Sequence, residues 1–166
     1  AATGKLSADK HFVKRIDNAT FEGALLASDE HLVAPQGRVS PLIYNRANGK
    51  LLGGLKGGGG CFVMLTPDAG ILHGPGNKTG WITDSNRSNR TTYATYPNAN
   101  AMVVDGGKAF FLTNKSLAAM DRKNKNPLWG QENTFSHSLI KAGETLFAGG
   151  TDTLAAFEAL SGKMIW

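Results

Sequence analysis

Arg38, Lys78 and Lys115 each stand six or seven residues past the start of a short apolar run, in successive occurrences of one pattern. Asp152 takes the same place in the last occurrence. Cations that recur at one loop position and share a rim would form a positive arc for an anionic ligand or an acidic partner. Solvated loop tips without a ligand are the plainer alternative for the same residues.

The other chemistry-bearing residues are dispersed. His11, His31, His73 and His137 have no ligand spacing on a strand or a helix, so no histidine metal site is expected. Ser136 adjoins His137 but no acidic partner can be assigned, so no catalytic triad is read, and no catalytic residue is proposed from the sequence. The glycine-rich run 53–60 lacks the Gly-Lys-Ser/Thr ending and the following helix that aim amides at a phosphate. It reads as a flexible connection whose glycines also permit close backbone approach. The single Cys61 excludes an internal disulfide and reads as a small buried hydrophobe. Asn-x-Ser/Thr triplets at Asn18, Asn77, Asn86, Asn89 and Asn114 match glycosylation acceptors, but Asn-rich turns explain them more simply.

Composition narrows the class. Glycine supplies 21 of 166 residues, well above the usual ~7%, as a chain of many short strands and tight turns requires. The formal net charge of +5 is spread along the chain, with no Arg/Lys stripe beside its aromatics, so nucleic acid is not an expected partner. No apolar run approaches the ~18 residues of a membrane span. No signal peptide is legible, and the chain reads as a mature or excised piece.

A repeat organises these residues. Ser116-Leu117-Ala118-Ala119-Met120-Asp121, eight residues before Trp129, returns as Thr153-Leu154-Ala155-Ala156-Phe157-Glu158, eight before Trp166, at an offset of 37. Such a period marks stacked supersecondary units. Extended backwards it yields four units, each with apolar runs separated by Gly/Asp/Asn turns, which read as antiparallel strands. The second runs begin at Leu32, Ile71, Ala109 and Leu146, and the third end at Asn45, Asp84, Asp121 and Glu158. Asn48-Gly49 and Ser161-Gly162 supply the positive φ of tight turns into a fourth strand. The second unit has Ser85-Asn86-Arg87-Ser88-Asn89-Arg90 there, which predicts a longer, irregular hairpin. Residues 154–160 favour helix by propensity, but repeats must share one fold, and strand is the reading.

Four strands per ~38 residues, radially repeated, is the design of a β-propeller blade. The fold expected is all-β, a propeller segment spanning 1–166 as one domain, with about four four-stranded blades that form a ring or part of a larger one. The blades are placed at about 21–56, 57–97, 98–133 and 134–166, after a strand-four remnant at about 1–20. Trp129 and Trp166 fall where an indole can wedge between blades, each worth roughly 1.5–3 kcal/mol by area. The paired alanines leave room for a neighbouring blade's tryptophan. Ala1-Ala2-Thr3-Gly4-Lys5-Leu6 matches Ala159-Leu160-Ser161-Gly162-Lys163-Met164, so residues 5–16 would supply the strand that the last blade lacks. Closure within one chain, between two chains, or with parts of a longer parent stays open.

The runs "IYNRANGKLL", "LAAMDRKNKNPLW" and "LAAFEALSGKMIW" resemble the quinoprotein-type repeat, whose pattern is Leu-x-Ala-hydrophobic-Asp-x-x-Thr-Gly-Lys-x-x-Trp. The match is strong in the fourth unit and weak in the second. The resemblance implies a propeller of bacterial, periplasmic or otherwise exported proteins. One branch of that family binds pyrroloquinoline quinone and calcium as dehydrogenases, often with a vicinal disulfide; another has no cofactor and serves as a scaffold. A single cysteine and the lack of a matching acidic set place this chain with the second branch, with no cofactor and no metal. The leading reading is therefore a non-catalytic scaffold outside the cytoplasm that binds a protein partner or an anionic ligand. A segment of a quinone- and calcium-dependent dehydrogenase, and a fragment that dimerises into a ring, are the alternatives.

Overall fold

The structure, a computed structural model, describes residues 20–76 and 80–166. In the first sheet β1 (Leu26–Ala27), β2 (His31–Gln36), β3 (Val39–Asn45) and β4 (Leu51–Gly54) follow one another in spatial order. The second repeats that order with β5 (Phe62–Leu65), β6 (Gly70–Gly74), β7 (Trp81–Asn86) and β8 (Thr92–Pro97). The third does so with β9 (Ala101–Asp105), β10 (Lys108–Leu112), β11 (Ser116–Asp121) and β12 (Pro127–Glu132). The fourth sheet has three strands, β13 (Ser138–Ala142), β14 (Thr145–Gly150) and β15 (Thr153–Glu158). Every pairing within the sheets is antiparallel. Residues 164–166 begin a further strand on β15, through Ala156 N–H to the Trp166 carbonyl at 2.9 Å and Ile165 N–H to the Ala156 carbonyl at 2.7 Å. The segment 5–16, expected to complete this sheet, lies outside the described residues, as does Lys78.

Strands apolar on both faces need a neighbour on each side, and the packing supplies one. Ile71 on β6 packs backwards on Val33 and Ile43 of the first sheet. Its neighbour Leu72 packs forwards with Met102 and Ala109 of the third. Likewise Phe110 on β10 joins Leu146, Ala155 and Phe157 of the fourth. Three cores thus lie between four consecutive sheets. The helix-favouring 153–158 is strand, because Phe157 and Ala155 reach this core only with alternating side chains.

One five-residue turn joins the third and fourth strands of every sheet. Asn45 N–H reaches the Lys50 carbonyl at 2.8 Å and Gly49 N–H returns to the Asn45 carbonyl at 2.9 Å. The same two bonds link Asn86, Thr91 and Arg90, then Asp121, Asn126 and Lys125, then Glu158, Lys163 and Gly162, all at 2.8 Å. The fourth turn residue is left-handed each time: φ is 67° at Gly49, 63° at Arg90, 60° at Lys125 and 75° at Gly162. This corrects two expectations. The second hairpin is as regular as the others, and the residue at its head is Asn86, whose Oδ1 accepts from the Ser88 and Asn89 amides. Asp84 lies inside β7 instead.

Two further expectations change. Cys61 is exposed, because it follows Gly60 at the entry to β5 and lies outside all three cores. The glycine run is packed: Ser40 Oγ donates to the Gly57 carbonyl at 2.7 Å and Gly60 N–H to the Gly37 carbonyl at 2.7 Å. A side chain at Gly59 would collide with the Pro75 and Gly76 backbone. Close approach is the reason for glycine there. Among the described residues no helix is long and apolar enough to cross a membrane.

Candidate functional site

The repeating turn defines equivalent positions across the seams between sheets. Eight residues past each turn head stand Gly53, Ala94, Trp129 and Trp166. The fourth turn residue of the following sheet faces each of the first three. Across the first seam the Arg90 guanidinium lies over Gly53, 2.6 Å from where a Cβ would be, and donates to the Leu52 carbonyl. Across the third, the Trp129 indole covers Gly162, whose added Cβ would come 2.5 Å from Trp129 Cε3. Trp129 Nε1 donates to the Ala159 carbonyl at 3.0 Å, and its ring packs on Phe110 at 6.1 Å. Large meets small in both. Small residues of both sheets make room for the indole: Ala119 stands opposite Trp129 in its own sheet, and Ala155 of the neighbouring sheet lies in the same core, as the paired alanines suggested.

The second seam lacks the bulk that fills the others. Ala94 faces Lys125, and a cleft of about 860 Å³ opens beside them between the second and third sheets. Met64, Leu65 and Val104 make its apolar wall, with Tyr93, Lys123 and Lys125 at the exposed mouth. Asn86, whose Oδ1 caps the turn, uses its Nδ2 to hold the Tyr93 hydroxyl at 2.7 Å.

Arg122 and Asp84 line the cleft's floor. Arg122 follows the turn head Asp121, so the turn aims it across the seam. Its Nε meets Asp84 Oδ2 at 2.8 Å and its Nη2 meets Oδ1 at 3.1 Å, a fork that suits a carboxylate. Nη1 reaches Asp68 Oδ2 at 3.0 Å and the Gly106 carbonyl at 3.3 Å. Burial is the largest influence on Asp84 and pushes its carboxyl above the ordinary range, against the pull of Arg122. Burial also acts to raise the partly exposed Asp68, but the Thr66 hydroxyl and the Arg122 charge prevail and hold it low. Tyr96, on the same face as Asp84, packs on Phe111 at 5.3 Å, and burial raises its phenol. With its cation shared between two carboxylates, the floor offers no uncommitted positive charge. Lys123 and Lys125 are left to give the mouth its positive charge.

No known protein family matches the sequence, and no curated protein matches it either. Solved structures do match in shape. BamB from Moraxella catarrhalis superposes with a TM-score of 0.66 at 14% identity, over 86% of this chain and 46% of its own. The computationally designed Ika8 protein gives 0.68 at 12% identity, over 85% of this chain and 46% of its own. The fold is a β-propeller. The designed Ika4 protein also gives 0.68, at 13% identity, over 84% of this chain and 96% of its own. The chain thus spans about half the length of BamB and Ika8. What stands of the quinoprotein resemblance is the propeller architecture.

Within this propeller Arg38 and Lys115, two of the basic residues read from the sequence, lie away from the cleft. Arg38 and Lys115 are exposed in the β2–β3 and β10–β11 turns, and Asp152 is exposed in the β14–β15 turn. The cleft is bordered by the β5–β6, β9–β10 and β11–β12 turns, at the opposite ends of the strands. Among the described residues no three His, Cys, Asp or Glu side chains converge as metal ligands. The cleft residues escaped the sequence reading because the weakest repeat unit builds half of them. Arg122 carried a signal all the same: it stands 38 residues, one period, from Asp84.

Proposed function

We propose that this propeller is a non-catalytic binding module, a scaffold that holds a protein partner in the cleft between its second and third sheets. The observation that carries this is the unfilled seam at Ala94: where the third seam is plugged by Trp129, this one presents an apolar trough rimmed by Lys123 and Lys125, which have no ion pair among the described residues. A trough of that kind suits an extended segment carrying an apolar side chain next to a carboxylate. The apolar group would lie against Met64, Leu65 and Val104, and the carboxylate between Lys123 and Lys125. Binding of that sort adds area and charge complementarity without any chemistry.

The scaffold role draws on the cofactor-free branch that the repeats resemble, and a bacterial, periplasmic setting rests on the same resemblance. Arg38 and Lys115, which the sequence groups with Lys78, offer a second, separate place for an anionic contact on the opposite rim. Fluorescence anisotropy with peptides pairing Leu or Phe with Asp or Glu tests the cleft. Saturable binding that K123E/K125E abolishes and R38E/K115E leaves intact supports it; binding unaffected by K123E/K125E contradicts it.

A further inference from the structure

The seam rule leaves two halves unmatched. Trp166 occupies the position of Trp129, at the same eight residues past its turn head, but lies 59% exposed, and among the described residues its aromatic neighbour is Phe147 of its own sheet, ring centroids 6.2 Å apart. Ile140 and Leu154 share that open face, 60% and 59% exposed. At the other end of the arc, Gly49 occupies the position of Gly162, with φ of 67° and open space within 4 Å of where a Cβ would sit. On the face of its sheet opposite to Val33 and Ile43, which meet the second sheet, Leu32, Tyr44 and Leu51 stand in register, each half-buried.

We infer that these two halves belong to one seam, made between two copies of this chain. The indole of Trp166 in one copy covers Gly49 of the other and donates its Nε1–H to the Arg46 carbonyl. Arg46 is the residue after the turn head, as Ala159 is where Trp129 donates. The pairing is specific because the other turn positions of this kind carry Arg90, Lys125 or an already covered Gly162. An indole offered to the first two would meet a side chain. A second copy is the fitting occupant because each open half carries what the other lacks, an exposed indole at one end and a bare left-handed glycine at the other. Tail-to-head contact repeated twice closes with two-fold symmetry and leaves neither apolar face in water.

Sedimentation equilibrium of the 166-residue chain tests this, with circular dichroism to confirm folding of each variant. The wild type is expected at twice 17.6 kDa. Gly49→Arg, which places at this turn the residue Arg90 already holds in the second, blocks the indole and weakens the dimer by about tenfold or more. Trp166→Gly removes the indole and weakens it similarly. The double variant W166G/G49R rebuilds the Gly53–Arg90 seam between copies and recovers most of the wild-type affinity. A single-chain mass at every concentration means that another segment covers Trp166 or nothing does, and overturns the inference. So does an open-ended polymer, a G49R chain that dimerises like the wild type, or a double variant no tighter than the singles.

Discussion

Asp84 and Arg122 are 38 residues apart in the chain and 2.8 Å apart across the second seam, with only 1% of the Asp84 side chain exposed. Their fork ties the third sheet to the second beneath the open cleft, at the seam that has neither the Arg90 of the first nor the Trp129 of the third.

Removing one partner strands the other. Arg122→Met should lower unfolding stability by about 3–5 kcal/mol, because a buried carboxylate loses its counter-ion. Asp84→Leu with Arg122→Met should recover most of that loss, since apolar contact replaces the pair at both ends. Urea denaturation of both variants checks the order; equal losses would contradict it.

The third seam should respond to single atoms. Trp129→Phe gives up the hydrogen bond to Ala159 and part of the ring area, for roughly 1–2 kcal/mol. Gly162→Ala drives a methyl into the indole at a left-handed φ and should cost about 1–3 kcal/mol by the same measurement.

The turns predict a gain. Lys125 holds a φ of 60° without a side-chain role in the turn, so Lys125→Gly should stabilise by about 0.5–1 kcal/mol. Arg90 holds 63° but donates to Leu52, so Arg90→Gly should gain less or nothing. Thermal midpoints of the two variants distinguish them.

Acid should weaken the second sheet through His73. Burial, the largest influence, holds its imidazole pKa below the ordinary 6.5, although its Nδ1–H donates to the Gly59 carbonyl at 2.9 Å. Nε2 is buried without a partner among the described residues, so a proton there would go unsatisfied. The unfolded chain takes up that proton near 6.5 and the folded chain only at lower pH, so stability falls as pH drops below about 6.5. His73→Gln keeps a donor without titrating and should flatten that slope in denaturation curves at pH 5–7.5; an unchanged slope would rule the residue out.

The four sheets were legible because each apolar run is bounded by turn residues and recurs near 38 residues, and with no helix between them strands apolar on both faces are buried by stacking sheet on sheet. The second unit was misread by two residues. Asp84 and Asn86 are both competent turn heads, and spacing alone cannot separate them when one lies inside the strand. That slip hid the ion pair, and with it the cleft. Cys61 was misplaced for a related reason: a run of apolar neighbours says nothing about where a strand begins. The glycine run looked loose because composition does not reveal which backbone will lie against it.

The cleft itself is tested most directly by methyl NMR. Titrating an acidic, leucine-bearing peptide into the chain should shift Met64, Leu65 and Val104 while leaving the methyls beside Arg38 and Lys115 unmoved. In Ala94→Trp/Lys125→Gly, which plugs the second seam as Trp129 and Gly162 plug the third, those shifts should vanish while the fold is kept. Shifts that persist in the plugged variant, or that gather on the opposite rim, would contradict a binding module built on the open seam.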